Sequence, residues 1–173
     1  MQEREENSFE RKSNDAETKL PLNEELHVQV DIFADKYDMR PKDALRQFLK
    51  LGLKCNKAVE KGYSEIFLKD KDDTETPLFP FPVCSEEEVH NSKKPTITEA
   101  RLNLYQKEKK ELRRVAKKNN ILIGQVLDNF VEFGLQVVDI MERTDSRIVF
   151  RDKKGQEDAL IFIPIKKRRG RSR

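Results

Sequence analysis

The residues best equipped for chemistry in this chain are its cations. Residues 165–173, IKKRRGRSR, hold six of them: Lys166, Lys167, Arg168, Arg169, Arg171 and Arg173. So dense a run is a flexible tail suited to attracting phosphates, the alternative being an ordinary solvated end. A second concentration, Lys107, Lys109, Lys110, Arg113, Arg114, Lys117 and Lys118, recurs at helical spacing. It reads as the outer face of a helix, either simply soluble or turned to a polyanion. Other chemistry finds little support. His27 and His90 have no partners at ligand spacing, and Cys55 and Cys84 make no metal-type pattern, so no metal or cofactor is expected. With no glycine-rich phosphate loop, nucleophile motif or clustered carboxylate–histidine set, the chain is not expected to be an enzyme.

The net charge of +3 is unevenly spread over 173 residues. The first sixteen carry −2, residues 17–84 carry −2 and residues 97–164 carry +2. A polyanion would meet the second half and the tail. Charged residues make up 39% and apolar residues 36%, so cores must be small and the surface densely charged. No apolar run is long enough to span a membrane, and the charged N-terminal stretch is unlike a signal peptide, so a cytoplasmic protein with reduced cysteines is expected.

What positions these cations is a duplication. Sliding the sequence by 82 residues brings Leu20 onto Leu102, Ala34 onto Ala116, Leu45 onto Leu127 and Phe48 onto Phe130. It also brings Gly52-Leu53 onto Gly134-Leu135, Ile66 onto Ile148 and Asp70-Lys71 onto Asp152-Lys153, without a gap. Each copy opens with an alternating segment, Thr18, Leu20 and Leu22 or Ala100, Leu102 and Leu104, whose period of two predicts a half-buried strand.

A helix follows, marked by Leu26, Val30, Phe33 and Tyr37 or by Leu112, Val115 and Ala116. After breaks at 38–40 and 120–122, a second helix begins, with Pro41 suited to its first turn. That helix is apolar on most of its circumference and must be buried, so the two copies are expected to pack these helices together. Ile66-Phe67-Leu68 with Leu78-Phe79, and Ile148-Val149-Phe150 with Leu160–Ile163, predict a trailing hairpin in each copy. The expected organisation is a disordered tail over 1–16, a first repeat over 17–84, a linker over 85–96, a second repeat over 97–164 and the basic tail over 165–173.

The order strand, helix, turn, helix, with Leu22-Asn23-Glu24-Glu25-Leu26 at the first junction and Ala34 late in the first helix, resembles the ribbon-helix-helix family of DNA-binding proteins. The resemblance covers 17–61 and 99–143 and leaves the hairpins outside. It implies an α+β fold: two tandem units forming an intramolecular ribbon-helix-helix pseudo-dimer, each followed by a hairpin. It further implies that one strand from each unit pairs antiparallel and enters the major groove of double-stranded DNA.

On that reading Glu17, Lys19, Pro21, Glu99, Arg101 and Asn103 face outward. Lys19 and Arg101 would donate to guanine and Asn103 would pair with adenine, the alternative being solvated strand residues. The family's phosphate grip at the start of the second helix falls on Arg40 and Leu122, neither a capping residue. Arg40 and Lys42 would substitute by charge, and Gly124 would free the backbone. Phosphate contacts are therefore expected at Arg40, Lys42, Gly124 and the six tail cations.

Glu17, Glu99 and Pro21 depart from the pattern, so binding dominated by the second copy is expected. The implied role is a transcriptional repressor or a plasmid or mobile-element accessory factor, nucleoid-associated and able to form higher homo-oligomers on DNA. The alternative is a protein-interaction adaptor, antitoxin-like or a relaxase or recombinase partner, docking through its hairpins.

Overall fold

A computed structural model describes residues 17–78 and 96–160. In the first stretch β1 (Thr18–Asn23), α1 (Glu24–Lys36), α2 (Pro41–Glu60), β2 (Tyr63–Lys69) and β3 (Glu75–Pro77) follow in order. The second runs β4 (Ile97–Leu102), α3 (Gln106–Lys118), α4 (Ile123–Arg143), β5 (Arg147–Asp152) and β6 (Glu157–Leu160). The helices α3 and α4 begin 82 residues after α1 and α2, the interval of the repeat. Among the described residues the fold is α+β, with four helices and two small antiparallel sheets.

Local chemistry sets the boundaries. Asn23 Oδ1 accepts from the Glu25 N–H at 2.9 Å, and Glu24 and Glu25 place negative charge in the first turn of α1. Both first helices end where a residue adopts a positive φ, Asp38 at 53° and Asn120 at 54°. Aspartate and asparagine tolerate that left-handed conformation better than other side chains. Pro41 opens α2, where its missing N–H removes no intrahelical bond.

The centre of the molecule is the crossing of α2 and α4. A Cβ on Gly52 would lie 2.2 Å from the Phe130 ring, and one on Gly134 would lie 2.2 Å from the Phe48 ring. Each helix thus presses a phenylalanine against the other's glycine, and the contact is reciprocal. Around it Leu22, Val30, Leu45, Leu49, Leu102 and Leu127 form one apolar cluster. A second cluster, with Leu51, Cys55, Phe133 and Val137, lies toward the four-stranded sheet. Burial pushes the Cys55 thiol up to about 12, so at neutral pH it is a small apolar side chain rather than a nucleophile.

The two hairpins join into one sheet of order β3-β2-β5-β6. β2 and β5 pair antiparallel with Phe67 opposite Val149, its own match in the repeat. Ile66, Leu68, Ile148 and Phe150 pack onto the ends of α2 and α4. On the outer face Arg151 sits 4.4 Å from the Phe67 ring centre and pairs with Glu65, Glu75 and Glu157.

Both expected hairpins are present, with Leu160 the last residue of β6, and the returning strands start before the apolar runs. They begin at Glu75 and Glu157, ahead of Leu78-Phe79 and Leu160–Ile163. The reason is a side-chain-closed turn. Asp70 Oδ1 accepts from the Asp72 and Thr74 N–H groups, and Asp152 Oδ1 from those of Lys154 and Gln156, each at 2.9 Å. Such Asx geometry reverses the chain within a few residues. Leu78 still packs in the second cluster, its N–H donating to Ile66 O at 2.8 Å. Residues 1–16, 79–95 and 161–173, which take in Phe79 to Phe81, Cys84, most of the linker and the basic tail, lie outside the described residues. No single described helix is long and apolar enough to cross a membrane.

Candidate nucleic-acid interface

β1 and β4 form the two-stranded sheet, antiparallel from Thr18 opposite Leu102 to Asn23 opposite Ile97. Lys19 lies directly opposite Arg101, the residue it matches in the repeat. Period two then divides the ribbon. Leu22, Ala100 and Leu102 are buried against the helices and Leu20 partly so, while Lys19, Pro21, Glu99 and Arg101 are exposed. The side chains of Lys19 and Arg101 are 57% and 60% accessible, so both stand open on the outward face of the ribbon.

Asn103 is not on this ribbon as expected. β4 spans Ile97–Leu102, so Asn103 is one residue past its end and half-buried in the connection to α3. Register is the cause. With Lys19 opposite Arg101, the position facing Asn103 would be Glu17, which precedes β1. The strand extends instead toward its start, where Ile97 is 65% exposed on the outward face.

Sequence reading also missed what anchors that end. Thr98 Oγ1 donates to Leu22 O at 3.0 Å, leaving His27 Nδ1 as the donor to Thr98 Oγ1 at 2.7 Å. The Glu24 N–H donates to Thr96 O at 2.9 Å. Thr96 and Thr98 do not stand out by type, and His27 gains a role only through its pairing with Thr98.

The ribbon is fastened to the core helices by one further bond. The Asn23 N–H donates to Asp128 Oδ1 at 2.9 Å. Desolvation by burial raises the Asp128 carboxyl above the ordinary carboxylate range, partly offset by this bond. A carboxyl raised in the folded state gives its stabilisation below the unfolded value and loses it as pH climbs through the folded one. Asp128→Asn keeps an acceptor oxygen and mimics the protonated form. It should therefore melt higher than the parent at neutral pH, with the gap closing as pH falls through the acid range. Thermal unfolding followed by circular dichroism across that range measures the gap, and a constant or inverted gap would contradict it.

The predicted phosphate ligands are placed less simply. Arg40 precedes α2 with its Nε 2.8 Å from Asp43 Oδ2. Lys42 Nζ is 4.0 Å from Glu17. Glu99 lies between the two ribbon cations, 3.9 Å from Lys19 Nζ and 4.0 Å from Arg101 Nη2. Each cation near the ribbon thus has a carboxylate neighbour that a phosphate or a base would have to displace or share. Gly124, in the first turn of α4, lies under the ribbon, where a Cβ would come within 2.7 Å of Pro21 Cγ. Its lack of a side chain lets the helix start approach the strand closely. Before it, Gln125 Oε1 accepts from the Leu122 N–H at 2.9 Å, and the Leu122 side chain is exposed.

The basic helix is α3. Lys107, Lys110, Arg113, Arg114, Lys117 and Lys118 are exposed and Lys109 is half-buried. Arg114 and Lys118 reach Glu60 at the end of α2, at 2.8 and 3.2 Å. The Arg114 hydrogen bond, with help from Lys118, holds the Glu60 carboxyl below its usual range. Arg46 of α2 lies 4.5 Å from the Tyr105 ring centre and 3.5 Å from Glu108. The six tail cations lie outside the described residues. Compared with known proteins, the chain matches no family model, no curated sequence and no solved structure, so the functional reading rests on geometry.

Proposed function

We propose that the chain binds double-stranded DNA by laying the β1–β4 ribbon in the major groove, the two units acting as an intramolecular ribbon-helix-helix pseudo-dimer. One observation carries the reading. Lys19 and Arg101, equivalent residues of the two copies, face each other on the open side of a ribbon whose other side is sunk in the core. Two strands set roughly 5 Å apart fit a groove about 12 Å wide, and lysine and arginine donate to the guanine acceptors exposed there. Reciprocal contacts at Gly52–Phe130 and Gly134–Phe48, and Phe67 opposite Val149, support a half-turn relating the units about an axis that passes between Lys19 and Arg101, near one end of the ribbon. Asn103 takes no base-reading role in this proposal, and Glu99 modulates the cations beside it.

The sheet of hairpins has a sufficient role in covering the ends of α2 and α4, so docking of another protein there is not favoured. Selection of bound sequences from randomised duplexes, followed by titration of the enriched duplex across a salt series, tests the proposal. A recurring site and an affinity falling steeply with salt are expected. A random pool emerging unenriched, with no binding at low salt, would refute it.

A further inference from the structure

The two copies have nearly the same backbone plan but opposite charge. On α1, the exposed Glu25, Asp31 and Asp35 stand where α3 has the exposed Lys107, Arg113 and Lys117. On α4, Glu132 and Asp139 stand where α2 has Lys50 and Lys57, again all exposed. The exchange runs from acid to base on the first helix of the unit and from base to acid on the second. α1 and α4 each hold four carboxylates against one cation, whereas α3 holds seven cations against two glutamates and α2 five against two carboxylates.

The helices of like sign are also neighbours. α1 and α4 border a groove of about 530 Å³ that takes Ile32 and Lys36 from one side and Glu132, Leu135, Asp139 and Glu142 from the other. α3 and α2 are joined by Arg114 and Lys118 on Glu60. The molecule therefore has an acidic flank and a basic flank, exchanged by the half-turn that matches the copies. The acidic flank also carries apolar surface: Val28 and Ile32, one helical turn apart, are 52% and 63% exposed.

We infer that the acidic α1/α4 flank of one chain docks on the basic α3/α2 flank of a second copy. A nucleic acid could occupy the basic flank, but it would leave the acidic one unexplained. An identical chain supplies the complement of both. Because unlike faces meet, the contact does not close on itself and can add copies head to tail. Isolated exposed ion pairs contribute little, so attraction is spread over the whole flank, with Val28 and Ile32 adding burial. Association is accordingly weak and sensitive to salt, whose screening length is about 10 Å at 0.1 M. The inference stands independently of groove binding by the ribbon.

Sedimentation velocity of the full chain, nuclease-treated and freed of nucleic acid, tests it. At an ionic strength of about 0.02 M the weight-average mass should rise with protein concentration, and at about 0.3 M it should fall to that of one chain. Asp31→Lys/Asp35→Lys, which makes both flanks basic, and Arg113→Glu/Lys117→Glu, which makes both acidic, should each weaken self-association about tenfold or more. Mixed in equal amounts, the two variants should associate again. All four positions are exposed, and circular dichroism checks that each variant is folded. A parent monomeric at low salt, variants that associate like the parent, or a mixture that stays monomeric would each overturn the inference. Association lost on nuclease treatment would also overturn it, assigning the basic flank to nucleic acid.

Discussion

Gly52→Ala should destabilise the chain by about 3 kcal/mol, at the upper end of what overpacking a core costs. The added methyl would sit 2.2 Å from the buried ring of Phe130, on the axis where α2 and α4 meet. Neither helix can retreat without disturbing both clusters, since Leu49 and Leu51 flank the glycine and pack into one cluster each. Gly134→Ala should behave alike, because its methyl would meet Phe48 at the same distance. Against a net stability of roughly 5–15 kcal/mol, either change shifts the denaturant midpoint substantially. Combining Gly52→Ala with Phe130→Leu should cost less than the two single changes added together, since the smaller side chain makes room. Urea titration of the four proteins gives the coupling. A stable Gly52→Ala, or strict additivity, would mean that the helices do not cross at these glycines.

The second large effect concerns Lys19 and Arg101. Removing both by Lys19→Ala/Arg101→Ala should weaken binding to the selected duplex about a hundredfold. That corresponds to roughly 3 kcal/mol, at about 1–3 kcal/mol for each good contact to a base. Both side chains are more than half exposed, so melting temperature should barely move. Binding to an unrelated duplex should fall much less, because phosphate attraction is shared with other cations. Fluorescence anisotropy with both duplexes separates these outcomes. Equal losses on the two duplexes would reduce the ribbon to a generic cationic surface, and no loss on either would remove it from the interface.

Much of the fold was legible because the chain states it twice. The ungapped match over the copies, with Pro41, Asp38 and Asn120 as punctuation, located the helices to within a few residues. Alternation alone separates Leu20, Leu22, Ala100 and Leu102 from Lys19 and Arg101. Pairing register was not legible. Nothing local says that Lys19 meets Arg101, and that single choice leaves Asn103 beyond the strand and recruits Ile97 and Thr98, which lack the leucine signal. The early return of each hairpin was signalled by Asp70 and Asp152, but the apolar runs further on outweighed them. The basic face of α3 was evident in sequence. The opposing acidic flank was not, because it is assembled from helices of different copies.

Both sheets are built by partnering across the duplication: β1 with β4, and β2 with β5. A half chain emerging from the ribosome therefore has no strand for β1 to zip against and lacks the glycine of α4 that Phe48 packs on. Its closing contacts wait for residues some eighty positions downstream, a high contact order that slows folding and prolongs exposure of apolar surface. In return, once both halves exist the meeting is unimolecular. Joining the halves does not fade on dilution, as it would for two separate chains.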